Sequence, residues 1–299
     1  MPRHTTVGHR GFGPLAGLGD EAAPGTDGQL AALRRLDWSA IELRTVDGTA
    51  LADLSPAAFG VLTRRLRDAG VTVIAVASRI GNWSRPVTGD LTEDLAELDA
   101  LAERCAALGC RFVRIMSYPN DGLAETDWAD RVLTRTAVLT DRAERAGLVL
   151  LHENCAGWAG DRAERALRLL RAVDSPALRL LFDTGNGVAY GYRAPDMLRD
   201  LVPYVAHVHI KDAIRTPDGD TAYTLPGAGD AEVTECLRIL AAHGYTGALS
   251  LEPHLAVRPH DGLTRAGEDA ADLFVRAGQA LTGLLRSMEA APTHRNGTA

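Results

Sequence analysis

Four polar side chains close four successive apolar runs of this chain: Glu153 in VLLHENC, Asp183 in RLLFDTGN, His209 in VAHVHIKDA and Glu252 in ALSLEPH. Each run is short and rich in β-formers, and each ends in a group able to bind a metal. If the four strands run parallel, their carboxyl ends meet in one place. Three carboxylates and one imidazole make a hard, oxygen-rich cage. It suits Mn²⁺ first, with Mg²⁺, Co²⁺ or Zn²⁺ as alternatives, rather than structural zinc, which favours thiolates. Four protein ligands leave two places in an octahedral shell, so a chelating substrate such as an α-hydroxyketone is expected. Of the 32 Lys and Arg residues, Lys211 is the only lysine, two positions beyond His209. A compact, movable ammonium is not interchangeable with a guanidinium, so Lys211 is expected to meet substrate oxygens.

The elements that must position these groups repeat one unit: amphipathic helix, glycine, apolar strand, polar residue. Helices are expected over residues 28–36, 57–69, 91–108, 127–146, 161–173, 195–201, 230–242 and 264–286, with Asp161 and Asp230 as caps. Strands are expected at TTVGHRG, SAIELRT, VTVIAVAS, RFVRIMS, LVLLHE, LRLLFD, VAHVHI and GALSLE. Such alternation implies a parallel sheet with right-handed crossovers. It predicts a single (β/α)8 TIM barrel over 1–287 and a disordered tail over 288–299. The rival is an open doubly wound sheet with a nucleotide-binding first turn. GHRGFGPLAGLG is glycine-rich but lacks the GxGxxG spacing and a clear helix start.

Strand alternation turns His207, His209 and Lys211 to the barrel interior, with His207 one layer below. His9 and Arg44 end the first two strands, and Arg79, Asn82 and Trp83 follow the third. With His254 they are candidate substrate contacts, and Trp158 is a candidate apolar wall. Glu42 is expected to point away from Arg44 and either to be structural or to support the ligands from behind. The PGAGD segment (226–230) is read as a turn with a helix cap rather than an anion nest. The four cysteines form no CxxC pair and are read as reduced, mostly buried thiols.

A net charge of −7 gives nothing for a nucleic-acid backbone to bind. No apolar run approaches the roughly 18 residues of a membrane span. MPRHTTVGHRGFG lacks the apolar core of a signal peptide, and a cytoplasmic location is the resulting expectation.

From IELRTVDG to SLEPH the chain resembles the xylose-isomerase-like barrel superfamily of sugar phosphate isomerases and epimerases, ketose 3-epimerases in particular. The resemblance implies that Glu153, Asp183, His209 and Glu252 hold one divalent ion, and that Glu153 and Glu252 are also the acid/base pair. It further implies that Arg215, six residues after His209, binds substrate oxygens. Where several relatives carry a His three residues after the ligand Asp, this chain has Asn186. DTGN and HIKD are similar to phosphopentulose 3-epimerases, which tilts the substrate toward a phosphorylated or anionic sugar. Proton transfer beside a ketone through an enediolate would give an epimer or an aldose. Loss of a β-hydroxyl would make the enzyme a dehydratase of the inosose type, or another lyase. An apurinic-site nuclease would need three metals and more histidines than the nine present. A non-catalytic barrel sits poorly with two intact glutamates. Relatives are often assembled, so a homodimer or homotetramer is the expected state.

Overall fold

The computed structural model describes residues 11–258, 263–264 and 270–290. Eight parallel strands line its centre: β1 (Leu15–Gly17), β2 (Ala40–Leu43), β3 (Thr72–Ala77), β4 (Phe112–Ser117), β5 (Val149–Gly157), β6 (Leu178–Asp183), β7 (Val205–Ile210) and β8 (Leu249–Leu251). Each pairs with its sequence neighbour from β2 to β8, and β8 pairs with β1. A parallel bridge between Leu18 and Glu42 joins β1 to β2 and closes the ring. The fold is therefore the expected TIM barrel.

Helices α1 (Thr26–Arg35), α2 (Pro56–Ala69), α3 (Leu91–Leu108), α4 (Glu125–Arg145), α5 (Ala163–Val173), α6 (Asn186–Tyr190), α7 (Ala194–Leu201), α8 (Val233–His243) and α9 (Ala270–Ala290) accompany the strands. Their boundaries follow local chemistry. The Ser55 hydroxyl accepts from the Ala58 amide ahead of Pro56, and Gly70 ends α2 at φ 66°. Asp90 caps α3, whose buried stripe of Leu98, Leu101 and Cys105 lies against the barrel. The strands are buried on both faces, as a parallel sheet wrapped by helices requires.

Several expectations need correction. The first barrel strand is Leu15–Gly17; Gly11 lies in a turn, and the rest of TTVGHRG, His9 included, lies outside the described residues. Asp161 and Asp230 are not caps. α5 starts after Arg162, and α8 after Glu232 in the left-handed region. Asp230 instead accepts from the Arg215 amide at 3.1 Å. Beyond β7 the chain makes a hairpin, Asp212–Arg215 against Thr221–Thr224, that was not anticipated. Within the described residues the last helix covers Ala270–Ala290, with Leu281, Leu285 and Met288 on its buried face, and Leu263–Thr264 is a strand rather than its start. Part of the expected tail is thus helix, and 291–299 lie outside the described residues. No described helix is long and apolar enough to cross a membrane.

Candidate active site

The four strand-end residues meet. Glu153, Asp183, His209 and Glu252 are all buried, and one potential ligand atom from each lies within 4.8 Å of the others. Glu153 and Glu252 line a cavity of about 360 Å³ at the carboxyl ends of the strands, together with Arg44, Arg114, Asn186, Lys211 and His254, whereas Asp183 and His209 are fully buried and do not line it. Trp83, Met116, Tyr190 and Tyr223 form its less polar wall.

Each carboxylate is held by its own donors. Glu153 accepts from Arg114 Nη1 at 3.2 Å and from Asn186 Nδ2 at 3.1 Å. Glu252 accepts from Arg44 Nη1 at 3.1 Å, and Lys211 Nζ lies 2.8 Å from its Oε2. His209 Nδ1 is 3.2 Å from that same oxygen. Asp183 divides its oxygens. Oδ1 takes the Gly185 and Asn186 amides at 2.7 and 2.9 Å and so shapes the DTGN turn. Oδ2 faces the cluster; Lys211 Nζ is 2.9 Å away but misaligned, and this buried oxygen has no hydrogen bond. Burial, then Glu252 and Glu153, push the Asp183 carboxyl up to about 6, against the pull of Lys211. The turn needs Gly185, since a Cβ there would stand 2.6 Å from Lys211 Cγ.

A divalent cation fits this donor set. The unsatisfied Asp183 Oδ2 points where a cation belongs. Arg44, Arg114 and Lys211 face five carboxylates, those of Asp20, Glu21, Glu153, Asp183 and Glu252. The carboxylates outnumber the lysine and arginine cations, and a divalent ion would offset part of that excess. Burial opposes charge on His209, but Glu42 and Glu252 outweigh it and hold the imidazole pKa well above its ordinary value. The pocket attracts positive charge at Nδ1, whether proton or metal.

Other expected contacts divide. Lys211 and Asn186 sit at the centre, 3.3 Å apart through Nζ and Oδ1. Arg44 lines the cavity but is braced from behind by a bidentate pair with Asp20, both contacts 2.9 Å. His254 lines the cavity too. Its backbone is in the left-handed region at φ 52°, and its amide and Nδ1 are fixed by Glu21 at 2.7 and 2.8 Å. Trp158 is not a wall. It lies in the turn that follows β5, after Gly157 at φ 109°. It is buried and donates to Glu125 Oε1 at 2.8 Å. Trp83 takes that place. Arg79 pairs instead with Asp53 and Glu97, and the Asn82 side chain folds back onto Ser84. Arg215 is exposed on the hairpin, where it donates to the Gly219 carbonyl, and it does not line the cavity. In PGAGD, the Gly227 and Gly229 amides bind the Asp212 carboxylate at 2.8 and 3.0 Å, so the segment is a turn filled from within the chain. Glu42 does not point away from Arg44: residues two apart share a strand face, and Glu42 is buried inside the barrel.

The residues missed were Arg114, Tyr223, Asp20 and Glu21. A lone charge inside FVRIMS signalled Arg114. Nothing local signalled Asp20 and Glu21, which act through a contact with Arg44 made only by barrel closure.

Comparison with known proteins places this geometry. The model of the xylose isomerase-like TIM barrel family matches residues 30–273. The chain belongs to that family. A 2-epi-5-epi-valiolone 7-phosphate 2-epimerase of Actinoplanes sp. is 30% identical over 190 residues, 62% of this chain and 66% of that protein. An inosose dehydratase of Clostridium perfringens is 27% identical over 124 residues, 37% of this chain and 42% of that protein. The chain thus matches less than two thirds of the length of either relative. The solved structure of L-ribulose 3-epimerase superposes with a TM-score of 0.71 over 95% of this chain and 100% of that one; at 20% identity this supports the fold alone. Epimerases and a dehydratase both occur among the family's members, so membership leaves isomerase and lyase chemistry side by side.

Proposed function

We propose that this barrel is a divalent-metal-dependent isomerase or epimerase of a small keto-sugar or sugar phosphate, which moves a proton beside a ketone through an enediolate. The observation that carries it is the pair of buried glutamates from separate strand ends, Glu153 and Glu252, which line one cavity with Lys211 and cluster with Asp183 and His209. Glu153, Asp183, His209 and Glu252 would hold the ion, Mn²⁺ first. Once bound, it would polarise the ketone oxygen and acidify the neighbouring C–H. Glu153 takes the proton, and Glu252, reaching in from β8, returns one to the other face. Lys211 and Arg44 hold substrate oxygens, with Asn186 and His254 beside them. A cavity of about 360 Å³ lies at the small end of ligand sites, roughly 300–1,000 Å³, and suits a monosaccharide.

Dehydration of a keto-sugar is the second reading, favoured by the inosose dehydratase similarity. One experiment tests both. Mn²⁺-loaded protein in deuterated water is offered free and phosphorylated ketoses and followed by NMR. Deuterium beside the ketone with a new epimer or aldose is expected. Glu153→Gln and Glu252→Gln should each lower the rate by about 10²–10⁴-fold, the usual contribution of a positioned acid or base. Loss of water would move the protein to the lyases. Normal turnover by the double Gln variant would sink the assignment of the pair.

A further inference from the structure

One buried carboxylate has no role in the reaction above. Glu42 is fully buried, and among the described residues no lysine or arginine is a hydrogen-bonding or ion-pair partner of it. Its neighbours are two imidazoles: His207 Nε2 lies 2.8 Å from Oε2, and His209 Nε2 lies 3.0 Å from both oxygens. Across the ring, His209 shows its other nitrogen to the site. Nδ1 is 3.2 Å from Glu252 Oε2 and 3.9 Å from Asp183 Oδ2. The imidazole thus spans two carboxylate environments, one nitrogen in each.

An imidazole that binds a cation through Nδ1 must carry its proton on Nε2. An acceptor at Nε2 favours that tautomer before a cation arrives, and a carboxylate there also makes Nδ1 a stronger donor to metal. Glu42 supplies the acceptor. Its placement uses the closure of the barrel. The Leu18–Glu42 bridge fixes its backbone at the β1–β2 seam, and the β2–β3 register slips between Ile41 and Glu42. Such an irregularity re-aims a side chain. His207, one layer down, takes a share of the same carboxylate and keeps it from rotating off His209.

We propose that Glu42 is the positioning residue of the metal centre: it holds His209 as the Nε2–H tautomer and commits Nδ1 to the ion. This rests on the metal-dependent reading above. The rival for the same residues is a second cation held by Glu42, His207 and His209, whose ligand atoms also lie within 4.8 Å of one another.

The test is calorimetric titration of the full chain with Mn²⁺, for wild type, Glu42→Gln and His207→Phe, beside NMR of ¹⁵N-histidine protein loaded with Zn²⁺. Wild type should bind one ion, and Glu42→Gln should bind it 10–100-fold more weakly. His207→Phe should weaken binding less, because Glu42 still reaches His209. The NMR spectrum should show His209 coordinated through Nδ1 with its Nε2 proton moved downfield by the bond to the Glu42 carboxylate, a shift that Glu42→Gln should lose and that a merely space-filling Glu42 would not give. Wild type that binds no divalent ion would overturn the functional reading and this inference together. Binding by wild type with Glu42→Gln within threefold of it would overturn the inference alone, as would His209 coordinated through Nε2. Two ions per chain, one lost in His207→Phe, would install the second cation instead. If Glu42→Gln fails to fold, the wild-type stoichiometry and tautomer still decide the matter.

Discussion

The two glutamates occupy one cavity but belong to differently built walls. Glu252 meets three cationic or cation-capable groups, Arg44, Lys211 and His209, and its arginine is shared with Asp20 and Glu21. Glu153 meets one cation, Arg114, and one neutral amide, Asn186. Behind Glu153 the wall is built of amide and hydroxyl contacts: the Asn154 side chain binds both the amide and the carbonyl of Asp183, and Tyr192 caps Asn154. The Glu252 wall is an ion network assembled across β8, the β1–α1 connection and β2. The Glu153 wall is a hydrogen-bonded edge between neighbouring strands. The first depends on charge balance and the second on local geometry, so they should fail in different ways.

The largest difference should come from removing each arginine. Arg44→Ala strips Asp20, Glu21 and Glu252 of a shared guanidinium in a buried setting, where uncompensated charge costs about 3–5 kcal/mol. Arg114→Ala leaves Glu153 its Asn186 bond and removes a guanidinium whose Nε has no acceptor, so the loss should be about 1–3 kcal/mol. Urea unfolding of both variants without added metal measures this. Equal losses would mean that the two walls are not energetically distinct.

That contrast also marks what was legible in the chain. The strand-end residues were readable because a barrel strand is a run of a few apolar residues whose last inward position is set by alternation alone. β1 was not, because only three residues, LAG, form it, inside a glycine-rich stretch with no apolar run. The Glu153 wall uses residues close to the ligands in sequence, so Asn186 could be found. The Glu252 wall depends on Asp20 and Glu21, more than 200 positions from Glu252, and no local pattern announces such a pairing. Trp158 and Arg215 were misplaced for a shared reason: each lies past the end of its strand, Trp158 in the turn after β5 and Arg215 on the hairpin that begins at Asp212.

The next difference is acid sensitivity. Directly behind Glu153 stands His152, buried, with neither ring nitrogen partnered. The matching position behind Glu252 is Leu251. Burial pushes the His152 pKa down to about 4 from 6.5. The unfolded chain therefore takes up a proton first as the pH falls. The contribution of His152 alone falls from about pH 6.5 down to 4, by about 3 kcal/mol at 1.36 kcal/mol per unit, while the raised Asp183 carboxyl works in the opposite direction below about pH 6. His152→Leu should flatten that part of the stability profile measured by denaturant titration across this range. A variant with the wild-type slope would remove acid lability as a distinguishing mark of the Glu153 wall.

The smallest effect concerns Asp183, which sits between the walls and senses both. Burial and the charges of Glu252 and Glu153 raise it to about 6, and Lys211 opposes them. Metal binding needs the ionised carboxylate. Below about pH 6, Mn²⁺ affinity should fall by up to tenfold per unit from this group alone, and above it the affinity should level off. Glu252 raises Asp183 more than Glu153 does. Glu252→Gln should therefore move the Asp183 carboxyl titration, followed by ¹³C NMR without metal, further toward acid than Glu153→Gln. Lys211 complicates the first variant in a useful direction: freed from Glu252, its ammonium has Asp183 as its remaining carboxylate within 2.9 Å and draws the titration lower still. Equal shifts in the two variants would mean that Asp183 responds to burial and not to the ion network, and the charge-balanced wall would then end at Glu252.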